Sequence, residues 1–195
     1  MVSFETSTSL IRTGIGCARR THSKVAFNRG AELLLDSPLS VGLLRSPSFF
    51  NKESFCIETV LREPFVVAVP DSHPAAKQDS VRIKTLAGEL FIVPPRQPEW
   101  DYSDAIFEIL RDNSIEPRIA QEARQALAVT SLVAGGLGVA LVPASFSNVP
   151  LPGVTYRPIK GRSRGTELAM VWRRDSRAST LRAFLDVVRA QYPKS

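Results

Sequence analysis

The sequence predicts an α/β fold in which buried strands alternate with amphipathic helices, and three observations support this. Residues 63–70 and 137–143 are short, continuous apolar runs bounded by proline or glycine, as expected for strands buried on both faces. Between such runs apolar residues recur at helical spacing, as at Ile106, Ile109 and Leu110. A length of 195 residues also accommodates two lobes of roughly a hundred residues each.

The N-terminal elements are the least regular part of the prediction. Residues 2–9 are typical of a strand that runs into a helix start rich in serine and threonine. A helix is predicted over 11–20, although Gly14 and Gly16 each weaken it by about 1 kcal/mol relative to alanine. Further strands are predicted over 24–27 and 41–44, with a short helical run over 31–35 between them.

The elements that follow are better defined. A turn over 71–74 and a single helical turn over 83–88 lead to a strand over 90–94. Three prolines between residues 94 and 100 exclude a helix or a central strand, and Asp101 or Ser103 then caps a helix. A strand over 116–122, a helix over 125–134 and the strand over 137–143 come next. Residues 154–159 and 166–173 are predicted as extended, followed by an amphipathic C-terminal helix. The alternation of strands and helices favours a mostly parallel sheet.

Composition and charge argue against several classes of function. The net charge is +6, but the excess of Lys and Arg lies near the C-terminus, mainly in residues 157–164 and 173–177. Aromatic residues are not interleaved with these basic ones, so a solvated basic edge explains them better than a nucleic-acid channel. The start of the chain lacks the pattern of a secretory signal, and no apolar run is long enough for a membrane helix, so we expect a cytoplasmic protein without membrane contact.

The sequence also lacks the patterns of catalytic and metal sites. Cys17 and Cys56 form no C-x-x-C pair, and the two histidines do not complete a metal-ligand spacing with them. Nucleophile-elbow, H-E-x-x-H and phosphate-loop motifs are absent. We therefore expect a protein that is not an enzyme and carries no cofactor or metal.

Four ordered motifs carry a family resemblance. They are V-G-L-L-R at 41–45, L-R-E-P-F-V-V-A-V-P at 61–70 followed by His73-Pro74, L-A-G-E-L-F-I at 86–92, and L-V-A-G-G-L-G-V-A-L-V-P at 132–143. Taken in this order, over roughly residues 40–190, the chain resembles the C-terminal effector-binding domain of LysR-type transcriptional regulators.

The resemblance implies two Rossmann-like lobes of the periplasmic-binding-protein type, joined by two crossover strands with a cleft between the lobes. Lobe one would combine residues 1–67 with 157–195, and lobe two would span 68–156. A small anionic or polar effector would bind in the cleft. The resemblance also implies a homodimer, with DNA contacted only through a helix-turn-helix domain that we do not find in this chain. The alternative is a stand-alone solute-binding protein of the same fold.

The candidate effector-binding residues follow from this architecture, since strand ends and helix starts present free backbone N–H groups. In lobe one, hydroxyl groups stand at a helix start, where capping the helix is a compatible alternative role. In lobe two, a loop arginine can pair with a carboxylate in a bidentate manner, or can simply be solvated. The lobe-one candidates are Thr6, Ser7 and Thr8, and the lobe-two candidates are Pro94, Pro95, Arg96, Tyr102 and Gln125.

Overall fold

The computed structural model describes residues 41–45, 51–96, 101–148, 151–161 and 163–192. The strands in these ranges are β1 (Gly42–Arg45), β2 (Phe55–Pro70), β3 (Leu90–Val93), β4 (Arg118–Glu122), β5 (Ala140–Pro143), β6 (Val154–Pro158) and β7 (Gly165–Arg173). The α-helices are α1 (Asp101–Asp112), α2 (Ala126–Ala134) and α3 (Ser179–Gln191), with 3-10 turns at Pro74–Lys77, Ile83–Leu86 and Ala144–Asn148. None of these described helices is long and apolar enough to cross a membrane.

The predicted elements from residue 41 onward are confirmed to within a few residues at each end. The exception is β2, which has 16 residues and begins at Phe55, whereas the apolar run predicted only its second half. Residues of the first half are mostly half-buried, so they show neither the continuous apolar run nor the clean alternation that marks a strand. The elements predicted for residues 1–40 lie outside the described residues.

Strand β2 changes partners halfway along its length. Its first half pairs antiparallel with β7, from Phe55 opposite Arg173 to Pro64 opposite Gly165. Its second half pairs antiparallel with both β5 and β6, with Phe65 opposite Pro143. The chain thus returns along β2 as β6 and then β7, and β6 ends and β7 begins where β2 changes partners. The described strands therefore form two groups that share β2.

The group around the second half of β2 contains the parallel part of the fold. Strand β3 pairs parallel with β4, and Phe91 of β3 forms a parallel bridge to Val139, the residue just before β5. The other strand pairings are antiparallel. The prediction of a mostly parallel sheet is therefore wrong for the described strands, because β2 and the returning pair β6 and β7 run in opposite directions.

Helices cover both faces of the second group. Side chains alternate along β2, so Phe65, Val67 and Val69 contribute to one cluster and Ala68 to another. The first cluster is closed by Ile106, Ile109 and Leu110, which lie on one face of α1, and the second by Val129 and Val133 of α2. This layered arrangement of helix, sheet and helix is typical of α/β folds.

Helix α3 packs on the group that contains β1 and β7. Its buried residues Leu181 and Leu185 contact Met170 of β7. On the same helix Arg189 donates two hydrogen bonds to the carboxylate of Glu58 on β2, at 2.7 and 3.1 Å. The apolar face predicted for the C-terminal helix is therefore the face that packs against the sheet.

We expect a side chain at residue 165 to force β2 and β7 apart. A Cβ atom added to Gly165 would lie 2.6 Å from the carbonyl oxygen of Glu63, which is closer than real Cβ contacts. Gly165→Ala should lower the free energy of unfolding in urea by roughly 1–3 kcal/mol. The matched control is Gly88→Ala, because a Cβ there meets no atom within 4 Å, and its effect should stay within about 0.5 kcal/mol. Equal effects of the two substitutions would contradict this account.

Candidate functional site

Three strands of the second group end at the same edge of the sheet. Because β3, β4 and the start of β5 are parallel, their carboxyl ends coincide. The chain leaves this edge through residues 94–96, 123–125 and 144–145, and a hydrogen bond of 3.0 Å from Ala123 N to Val93 O joins the first two exits. In α/β sheets, ligands bind outside the carboxyl ends of the strands. We refer to this region as the carboxyl edge.

The predicted lobe-two residues lie at or near the carboxyl edge. Pro94 and Pro95 directly follow β3 and are buried, whereas Arg96 is exposed. Gln125 directly precedes α2, is also exposed, and makes no side-chain hydrogen bond that caps the helix. The exits after two parallel strands thus place Arg96 and Gln125 at one edge of the sheet, with both polar groups accessible.

Arg96 is held against α1 by an aromatic contact. Its guanidinium carbon lies 3.8 Å from the centre of the Phe107 ring. A guanidinium over an aromatic face is attracted by the negative face of the ring, by about 0.5–1 kcal/mol at an exposed site. The positive charge is therefore positioned beside the protein surface, and no salt bridge to a described residue neutralises it.

Tyr102 is buried in the first turn of α1. Burial raises the pKa of its phenol above the usual value, and the positive charge of Arg45 partly offsets this rise. The hydroxyl thus stays protonated at neutral pH.

Arg45 belongs to a buried polar network that connects both groups of strands. Its Nη1 donates to Oε1 of Glu63 at 2.7 Å, and its Nη2 donates to Ser145 Oγ at 3.1 Å. The backbone N–H of Ser145 donates to Oε2 of Glu63 at 2.5 Å, and the Ser145 hydroxyl donates to Oε1 at 3.1 Å. The Glu63 side chain is only 6% exposed. The carboxylate of Glu63, in the middle of β2, therefore binds a residue at the end of β1 and a residue in the 3-10 turn that follows β5.

These three residues are not among the candidates predicted from the sequence. Arg45 and Glu63 each stand beside an apolar run, and a charged residue in that position was the available signal, since it requires a partner when buried. Ser145 carries no such signal. Its role depends on Glu63, which lies 82 residues earlier in the chain.

Thr6, Ser7 and Thr8 fall outside the described residues. Two pockets in the described part of the chain are away from the carboxyl edge, one beside Phe55 and Arg174 and one beside Ile109 and Lys160. Within the same ranges, His, Cys, Asp and Glu residues form no group of three or more that could hold a metal ion.

Comparisons with known sequences give a consistent result. The family model described as the LysR substrate binding domain matches residues 25–193. The Hca operon transcriptional activator HcaR of Escherichia coli (strain K12) is 32% identical over 155 residues, which are 77% of this chain and 50% of that protein. The transcriptional regulator BudR of Raoultella terrigena is 28% identical over 152 residues, which are 78% of this chain and 52% of that protein. The chain thus spans about half the length of these relatives.

Solved structures show the same fold. The effector binding domain of a BenM variant has a TM-score of 0.71 at 25% identity, covering 83% of this chain and 75% of that one. Full-length CbnR in complex with its target DNA has a TM-score of 0.72 at 23% identity, covering 85% of this chain and 57% of that one. The predicted α/β fold with two periplasmic-binding-protein-like lobes is thereby confirmed.

We expect removal of the Arg45 side chain to lower the free energy of unfolding far more than removal of an exposed arginine side chain. Arg45→Ala would leave the carboxylate of Glu63 buried without its cation, so the free energy of unfolding should fall by roughly 2–4 kcal/mol. The matched control is Arg62→Ala, because Arg62 pairs with Glu167 at 2.8 Å but the two side chains are 74% and 43% exposed. This control should cost about 0–1 kcal/mol. Urea denaturation of both variants measures the difference, and equal losses would refute the structural role of the network.

Proposed function

The chain belongs to the family of LysR substrate-binding domains, and from that premise we propose that it senses a small anionic or polar effector for a transcriptional regulator. Because the chain spans about half of its relatives, the activity of the whole protein is part of this proposal. We assign DNA contact to a helix-turn-helix domain of the whole regulator, since the matched relatives include proteins named HTH-type regulators.

The observation that carries the proposal is the convergence of polar and cationic groups at the carboxyl edge. Arg96 and Gln125 are accessible there, and α2 begins there without a side-chain cap on its first backbone N–H groups. Such a set favours an anionic or polar ligand over an apolar one. The proposed effector contacts are Pro94, Pro95, Arg96, Tyr102 and Gln125 from lobe two, with Thr6, Ser7 and Thr8 from lobe one.

The proposed lobes are residues 1–67 with 157–195, and residues 68–156. The change of partners along β2 between Pro64 and Phe65 lies three residues before the first proposed boundary, and β6 ends two residues after the second, so both boundaries fall close to the junction between the two groups of strands. An effector held between the lobes would favour one of their relative arrangements over another. The network of Arg45, Glu63 and Ser145 stands at the junction about which the lobes would move.

The relatives also bear on the competing functions. Those matched here are named as transcriptional regulators, which supports a regulatory domain over an enzyme and over a stand-alone solute-binding protein. We accordingly propose a domain without catalysis that acts in the cytoplasm, where a bacterial regulator meets DNA.

A binding screen tests the sensor proposal directly. We expect at least one compound among aromatic acids, amino acids and metabolic carboxylates to raise the melting temperature, with calorimetry giving its affinity. Arg96→Gln should weaken that binding about tenfold by removing a charge-assisted contact. The control is Arg118→Gln, because Arg118 is exposed at the opposite end of β4. Absence of any binder at millimolar concentration would count against the sensor, and equal affinities of the two variants would exclude the role of Arg96.

Self-association is the second test of the proposal. Full-length CbnR and BenM are among the solved structures with this fold, and we propose that two copies of this chain pair as a homodimer. Sedimentation velocity at tens of micromolar should show a species of twice the chain mass. A strict monomer at that concentration would contradict the proposed pairing.

A further inference from the structure

A second pocket lies at the passage from β6 to β7, away from the carboxyl edge. Its volume is about 430 Å³, within the range of small-molecule sites. Three elements supply its apolar floor: Ile83 of a 3-10 turn, Ile109 of α1, and Ile159, which follows β6. The rim is polar and consists of Asp112, Asn113, Lys160, Ser163 and Arg164. We call this the crossover pocket.

Backbone hydrogen bonds fix the first wall of the crossover pocket. Val81 N donates to Pro158 O at 2.9 Å, and Lys160 N donates to Val81 O at 2.8 Å. Ile159, which these two bonds bracket, thereby forms a parallel bridge with Val81. Ile83 and Ile109 are 2% and 4% exposed, so they belong to the rigid core of the second group. The floor is therefore preformed.

Ion pairs fix the opposite wall. Arg164 Nη1 lies 3.0 Å from a carboxylate oxygen of Glu108, and its Nε lies 3.7 Å from one of Asp112. The charge of Arg164 is thus already matched by two acidic residues of α1. Asn113 and Ser114 donate hydrogen bonds to carbonyl groups in the last turn of α1. These carbonyl groups at the C-terminal end of the helix therefore already have hydrogen-bond partners.

One charge at the rim remains unmatched. Lys160 is exposed, and its ammonium group has no ion-pair partner among the residues that the structure describes. A lone cation above an apolar floor suits a ligand with one negative charge and an apolar body. We propose that the crossover pocket is a second ligand site, separate from the cleft, that binds small aliphatic carboxylates with the carboxylate at Lys160 and the chain over the isoleucines.

Methyl NMR on the full chain, labelled at isoleucine, reads this site directly. Hexanoate is the probe, and hexanamide is its uncharged counterpart of similar shape. We expect hexanoate to shift the methyl signals of Ile83, Ile109 and Ile159 in a saturable manner. The signal of Ile92 should stay unchanged, because this residue packs in the cluster with α2, away from the pocket. Hexanamide should bind about tenfold more weakly, since it lacks the charge.

Two variants complete the test. Lys160→Gln should weaken hexanoate about tenfold and leave hexanamide unchanged. Lys77→Gln is the matched control, because it removes an exposed lysine that does not line the crossover pocket, and it should leave both affinities unchanged. No saturable shift at the three methyl groups, or a shift confined to Ile92, would overturn the site. Equal binding of hexanoate by wild type and Lys160→Gln would do the same. A failed effector screen would leave these results standing, since the crossover pocket shares no residue with the proposed cleft contacts.

Discussion

The carboxylate of Glu63 lies where β2 passes from one group of strands to the other, and residues of both groups satisfy it. Arg45 reaches it from β1, and the backbone and hydroxyl of Ser145 reach it from the end of β5. A buried carboxylate is costly unless it is paired and fully hydrogen-bonded, so this junction tolerates few geometries.

The same junction is constrained from the side of the returning chain. Gly165 opens β7 directly against the carbonyl of Glu63, so the backbones of β2 and β7 approach closely where β2 changes partners. Ile159 and Lys160 leave β2 at this point to pair with Val81, and Arg164 is held to α1 by its ion pair with Glu108. The two parts of the fold are thus joined by β2 and the antiparallel strands β6 and β7, rather than by a flexible linker.

The sequence predicted elements better than it predicted their arrangement. Local sequence patterns were sufficient to predict α1 and β5. Ile106, Ile109 and Leu110 recur at helical spacing and form one face of α1. The continuous apolar run that ends at Pro143 corresponds to a strand whose residues are all buried. It was insufficient for strand direction, because pairing joins distant segments such as β2 and β7. The positions of Arg96 and Gln125 at the carboxyl edge follow from the predicted strand ends, and their part in binding an effector stays a prediction. The contact of Glu63 with Ser145 could not be predicted, because it joins residues 82 positions apart in the chain. Thr6, Ser7 and Thr8 remain predictions.

In the proposed effector site, the contact of Arg96 with Phe107 would influence the affinity for a ligand through a residue that does not itself contact the ligand. A guanidinium that already rests on a ring loses less rotational freedom when a ligand arrives, so part of the entropic cost of binding is met during folding. Residue 107 lies on α1, where it is half-buried and packs against the edge of the first cluster. A change at residue 107 would therefore alter the affinity of the proposed effector site, and with it the concentration range of a response, while every proposed ligand contact stays the same.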